Sequence, residues 1–404
     1  VPQPHPTAHP TAHPTAEPTA EPTPGPTATA LTRTPTARRR LLALAVVALL
    51  LSSCGLRPGG HDDAGDDVAT PPLSEAKVLD DPRSWEGAVH AALPDEPVDP
   101  VADSPTQTLP VTLTDSQGTR VTVTDTSRVL ALDIYGTLSR TVYELGLGDS
   151  LVGRDISTQF DEAEDLPLVT SNGHDLNAEA ILELDPTLII TDTSLGPWDV
   201  VLQMRDAGIP VVVVDSTRSV DNVGSLTQEV ARALGVPDVG SRLADRLEKQ
   251  TRSTLAEIAA VAPKRVQDKP RMVFLYVRGQ AGVYYMFGEG SGADTLITAL
   301  GGYDVAGEIG WNGMKPVTDE GIIDAQPDVV LMMTKGLESV DGVDGLLERL
   351  PALAQTPAGQ KRRIVDMSDA QILGYGPRTA AVLEALAVAV YAPGSAAPAA
   401  GERR

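Results

Sequence analysis

The sequence predicts an α/β protein of two Rossmann-like lobes joined by one long helix. Three observations predict this. Between residues 128 and 390, short apolar runs alternate with helical stretches, the order that parallel α/β packing requires. One amphipathic stretch, 238–260, has no glycine after Gly240 and meets no proline until Pro263, which is long for a connector inside one sheet. Finally, NAEAILELDPTLIITD at 177–192 returns, without gaps and at an offset of 141, as TDEGIIDAQPDVVLMM at 318–333.

The elements follow in order. LPVTLTDSQGTRVTVTD (109–125) alternates polar and apolar residues about Ser116-Gln117-Gly118, a hairpin signal. Buried-strand runs are RVLALD (128–133), LVGRD (151–155), TLIITD (187–192) and PVVVVDS (210–216), with helices over 138–147 and 178–184 between them. After the long helix come RMVFLYVRG (271–279), VYYMFG (283–288), DVVLMMTKG (328–336) and RRIVDMSD (362–369). In both copies of the repeat a capping residue (Asn177, Thr318) is followed two positions on by glutamate (Glu179, Glu320). A short helix, a proline (Pro186, Pro327) and a strand come next. The caps satisfy free N–H groups, and the acid favours the positive end of the helix.

Before the lobes the chain has a different character. Residues 1–37 are rich in Pro, Thr and Ala and hold a repeat of the type His/Glu-Pro-Thr-Ala, where proline every fourth residue excludes helix and sheet. His5, His9 and His13 lie there, in a segment that we read as outside the mature protein, with the true translation start nearer Arg38. Residues 38–53 have three arginines, eleven apolar residues and then small residues, the layout of a secretory signal too short to span a bilayer. Leu51-Ser52-Ser53-Cys54 resembles the lipobox of bacterial lipoproteins, which implies cleavage before Cys54 and acylation of its thiol. Cys54 is the one cysteine of the chain, so no internal disulfide can form. The expected organisation is then a tether and poorly defined segment (54–107, with a short helix over 81–93), a first lobe (108–236), the connecting helix (237–263), a second lobe (264–393) and a tail (394–404).

Charge narrows the function. The formal charge is −23, and −25 after residue 53, which argues against nucleic acid as a partner. His174 is the one histidine in the two-lobed part, too few for a zinc or manganese carrier, which needs several converging ligands. No G-x-S-x-G elbow is present, so the chain is not read as an enzyme. Gly288-Glu289-Gly290-Ser291-Gly292-Ala293 fits a dinucleotide fingerprint in outline, but it falls in the second unit of an exported protein and is read as a glycine-rich turn.

Candidate site residues lie at strand ends, where open α/β sheets bind ligands. His174 stands in Ser171-Asn172-Gly173-His174-Asp175-Leu176, between a strand and the capped helix. Tyr276 and Arg278 lie two apart on one strand and share a face, and a guanidinium beside a phenol favours the phenolate, a ligand for ferric iron.

Two lobes, one connecting helix, a lipobox and paired helix-start glutamates resemble the binding proteins of ABC importers for haem, siderophores and cobalamin, over residues 108–393. Within that group, NGHDLNAEAIL and FLYVRGQ resemble hemin-binding lipoproteins of actinobacterial type. The resemblance implies haem as cargo, its iron held by His174 from one lobe and Tyr276 from the other, with Arg278 bonded to the tyrosine. It implies a cleft loop at Tyr375-Gly376-Pro377-Arg378-Thr379, with Arg378 at a haem propionate, and weaker parts for Arg154, Tyr135 and Met286. Glu179 and Glu320 are implied to dock on arginines of a permease. The chain has no G-x-x-x-x-G-K-[ST] loop, so a partner subunit must hydrolyse ATP. The expected protein is a monomer, lipid-anchored at the extracellular face of the cell membrane. A ferric siderophore or cobalamin is the alternative cargo.

Overall fold

The computed structural model describes residues 70–93 and 96–398. The repeat, the signal segment and Cys54 lie outside the described residues. Within them no helix is long and apolar enough to cross a membrane.

The first lobe is built on three parallel strands, Val129–Leu132, Leu188–Thr191 and Val211–Val213, in that order. All three are buried throughout and, Thr191 apart, apolar, as strands covered on both faces must be. The run at 151–155 forms only bridges, Leu151 to Val129 and Arg154 to Leu168, rather than a strand. Arg154 and Asp155 interrupt its apolar character, and it lies along the outside of the sheet. The hairpin forms as Val111–Thr114 against Arg120–Val123, with Val121 and Val123 turned inward. Helices Thr137–Glu144 and Ala178–Glu183 occupy the expected places.

The second lobe carries a mixed sheet whose inner strands Arg271–Arg278, Val329–Met333 and Ile364–Met367 run parallel. Val283–Phe287 and Met314–Pro316 add to one side as antiparallel strands. The other side departs from the expected division of the chain. Val89–His90, from the stretch read as tether, pairs in parallel with Ile364–Met367. Ala397–Pro398, from the expected tail, pairs with Val89–His90 in turn. Chain before the first lobe thus completes the sheet of the second. No helix forms over 81–93; a 3-10 turn, Pro82–Ser84, precedes the strand. Strand pairing there satisfies backbone groups that a helix would have satisfied internally, and it buries Val89 and His90. His90 Nδ1 lies 2.7 Å from Asp366 Oδ2 within the sheet.

Helix Pro237–Val261, 25 residues and about 37 Å long by its rise, joins the lobes. Its buried positions Val239, Leu243, Leu247 and Thr251 recur every fourth residue and form one stripe. That stripe packs on helices Val223–Ala233 and Thr379–Tyr391. Gly240 permits the close approach, because a Cβ there would come 2.3 Å from that of Ala231. The glycine-rich stretch 288–293 follows an antiparallel strand, not the parallel strand of a dinucleotide fold, and the carbonyl of Gly292 accepts a 2.6 Å hydrogen bond from Tyr375.

Candidate functional site

His174 sits at the end of a short hairpin. Thr170–Ser171 pairs with Asp175–Leu176, and Asn172 and Gly173 at the tip have φ of 46° and 88°. Asn-Gly is the pair best suited to that left-handed turn. The hairpin base is pinned by buried Leu176, whose N–H donates to the carbonyl of Gly196 at 2.5 Å. His174 is thereby held out on the lobe, exposed, and among the described residues its ring nitrogens have no hydrogen-bond partner. Partial desolvation, and then the positive charge of Arg278, hold its pKa below the ordinary histidine value. Lys335 acts in the same direction, while Asp369 and Asp175 oppose it. Arg278, Lys335 and Asp369 all belong to the second lobe. These influences together favour the neutral imidazole, the form that binds metal.

Across the cleft, Phe274, Tyr276 and Arg278 share one face of the longest strand. Phe274 is fully buried against Phe287, with ring centroids 5.0 Å apart. Tyr276 stacks on the same Phe287 at 6.0 Å but is only partly buried, so the face passes from core to cleft along the strand. Its hydroxyl has no hydrogen-bond partner among the described residues. Arg278 does not hydrogen-bond that hydroxyl, contrary to what the resemblance implies. Its guanidinium lies over the tyrosine ring, 4.5 Å from the centroid, and is drawn aside by Asp369, with Nη2 2.5 Å from Oδ2. Asp369, whose other oxygen accepts from the N–H of Lys335 at 3.0 Å, went unassigned in the sequence. Its signal was position, two residues beyond the end of a parallel strand.

Ser368 and Ala370, either side of Asp369, line a cavity of about 320 Å³ between the lobes. Tyr135, Arg140 and Phe160 of the first lobe and Arg378 of the second also line it. Arg140 lies 5.1 Å from the Phe160 ring, and Arg378 Nη1 lies 3.6 Å from Glu96. The cleft thus offers aromatic surface and two guanidinium groups, the chemistry that suits a flat apolar ligand bearing carboxylates. Of the weaker candidates, only Tyr135 lines this cavity. Arg154 lines a neighbouring one, and Met286 is buried in the core of the second lobe.

Glu179 and Glu320 stand where the repeat puts them, exposed in the first turns of helices Ala178–Glu183 and Asp319–Ala325. Asn177 accepts from the N–H groups of Glu179 and Ala180, and Thr318 from that of Gly321, so neither carboxylate is used in capping.

Residues 134–370 match the model of the family described as periplasmic binding protein. The chain belongs to that family. Among periplasmic binding proteins of known structure it is 40% identical to the heme binding protein HmuT, with TM-score 0.73 over 77% of this chain and 99% of that one. Solved variants of HmuT replace by alanine a histidine, a tyrosine and, two positions after the tyrosine, an arginine. The periplasmic heme-binding protein RhuT from Roseiflexus sp. RS-1 is 37% identical, with TM-score 0.60 over 66% and 98%. An ABC transporter substrate-binding lipoprotein of Bacillus subtilis strain 168, YvrC, is 26% identical over 307 residues, which is 74% of this chain and 91% of that protein. These relatives are binding proteins, and YvrC is by name the binding lipoprotein of a transporter.

Proposed function

We propose that this protein captures haem outside the cytoplasmic membrane and delivers it to an ABC permease whose ATPase subunit supplies the energy. What supports the reading most is an exposed His174 imidazole without a hydrogen-bond partner among the described residues, its pKa lowered in part by Arg278, and Arg278 lying 4.5 Å from the ring centroid of Tyr276, whose hydroxyl is also without a hydrogen-bond partner there. The same residue types, with the tyrosine and arginine two apart, are those replaced in the HmuT variants. Haem is the cargo. His174 and Tyr276 hold its iron from opposite faces, and Arg278 offsets the phenolate charge. Arg378 meets a propionate, and Arg140, beside it in the cavity, supplies further positive charge. Glu179 and Glu320 dock on permease arginines. Cys54 carries the lipid that holds the protein, as a monomer, at the extracellular face. The protein catalyses no reaction of its own, and the connecting helix limits the closure of the lobes.

Optical titration of residues 55–404 with hemin tests the reading. One equivalent should bind with a tyrosinate-to-iron charge-transfer band. Tyr276→Ala should abolish the band, and His174→Ala should shift the Soret maximum. Loose binding with both variants matching wild type would overturn the haem assignment and make ferric siderophores and cobalamin the next ligands to titrate.

A further inference from the structure

The repeat extends past the two glutamates. Aligned position by position, Glu179-Ala180-Ile181-Leu182-Glu183 corresponds to Glu320-Gly321-Ile322-Ile323-Asp324. Ile181 and Ile322 are buried, at 1% and 2% exposure, and anchor the two helices to their lobes. Both helices are followed by a residue in the left-handed region, Asp185 at φ 43° and Gln326 at φ 41°, before the shared proline. With start, anchor and end in common, the outward residues have the same arrangement on each lobe. Leu182 and Ile323 are 40% and 42% exposed, among the few large apolar side chains so exposed in the described residues. On each helix the aliphatic residue lies one turn from the glutamate and beside a second acid, so the three form one face. Among the described residues, none of the four carboxylates takes part in an ion pair or hydrogen bond.

A single exposed leucine needs no explanation. Two at the same register of a repeated helix, one per lobe and each framed by acids, do need one. Folding does not supply it, since Ile181 and Ile322 already fix the helices and Asn177 and Thr318 already cap them. An apolar anchor with a charged rim is the make-up of a binding patch. We propose that Leu182 and Ile323 are the apolar anchors of the docking face, each entering a pocket rimmed by arginine or lysine on the membrane permease. The permease presents that pocket twice, from a pair of like subunits. This rests on the reading of Glu179 and Glu320 as docking residues. The acids steer the approach, and the aliphatic residues supply affinity that salt does not screen.

The test measures docking of the haem-loaded mature protein on the permease–ATPase complex of the same organism in lipid nanodiscs, at low and high salt, together with stimulated ATPase. Leu182→Ser with Ile323→Ser should weaken docking about tenfold or more at both salt levels, the scale of one buried aliphatic side chain. Hemin spectrum and thermal midpoint should stay unchanged. Glu179→Gln with Glu320→Gln should weaken docking at low salt only. Leu202→Ser, 43% exposed on another helix, should dock as wild type. If the serine pair docks as wild type while the glutamine pair is weakened, the apolar anchors are refuted and electrostatic docking stands. If both pairs dock as wild type, the docking reading falls with them. An equal loss in Leu202→Ser, or an altered hemin spectrum in the serine pair, would also overturn the proposal, because the effect would not be local to the repeat.

Discussion

At the scale of residues, the site depends on which side chains are already engaged. His90 is paired with Asp366, whereas the nitrogens of His174 and the hydroxyl of Tyr276 are left open. Partial desolvation and Arg278 depress the His174 pKa, so the imidazole remains a ligand at pH values where an ordinary histidine is protonated. The acid transition of the hemin spectrum should therefore come at a lower pH than the ordinary histidine value. His174→Ala should lack that transition, and a wild-type transition near the ordinary histidine value would contradict the argument. Asp369 is the second lever. Because it draws the Arg278 guanidinium aside at 2.5 Å, Asp369→Ala should let that group swing. We expect hemin affinity to fall about fivefold, with a shifted charge-transfer band, the modest size reflecting a partly exposed pair. The residue types His174, Tyr276 and Arg278 were visible in the sequence. Asp369 was not, because its partner lies 91 positions away and no local pattern links the two.

At the scale of elements, close approach decides more than propensity. Gly240→Ala would raise helix propensity by about 1 kcal/mol, yet the new methyl would meet Ala231 at 2.3 Å. Forcing the helices apart costs about 1–3 kcal/mol, so the thermal midpoint should drop. A rise would mean that helix Val223–Ala233 yields without loss. The hairpin that carries His174 follows similar logic, since Asn172 and Gly173 accept a backbone turn that most residues resist. Periodicity located the inner strands and the connecting helix because buried parallel strands and long amphipathic helices leave strong patterns. It failed at Val89–His90, where two residues are too few to make a pattern and the pairing is made with chain some 275 positions later.

At the scale of the whole molecule, the first lobe keeps a buried polar centre beneath its sheet ends. Arg218 Nη2 lies 2.5 Å from Asp192 Oδ2 and 3.5 Å from Asp133 Oδ2, and its guanidinium is 5.2 Å from the Tyr135 ring. Burial, and then the charge of Asp133, push Asp155 up to about 7 and Asp192 up to about 6. These carboxyls bind protons more tightly folded than unfolded. Their stabilising contribution is present in full below the unfolded carboxylate range and is lost as pH rises through about 6 to 7. The melting temperature of the ligand-free protein should therefore fall between pH 5 and 8, and Asp155→Asn should flatten that slope. A midpoint that rises over the same interval would show the sign to be wrong. Arg218→Ala should cost about 3 kcal/mol or more, since it strands buried acids without their cation.

The sequence by itself determined the class of the fold, the two-lobed alternation, the connecting helix and the repeated capped helices. Each of these is encoded in runs of neighbouring residues, through periodicity, capping and the punctuation of glycine and proline. Only the tertiary structure decided that chain from before the first lobe completes the second lobe's sheet. It alone placed Asp369 on Arg278, and it alone left Leu182 and Ile323 uncovered while Ile181 and Ile322 beside them are buried. Those outcomes depend on which distant surfaces meet, and contact between residues far apart in the chain leaves no mark on either local sequence.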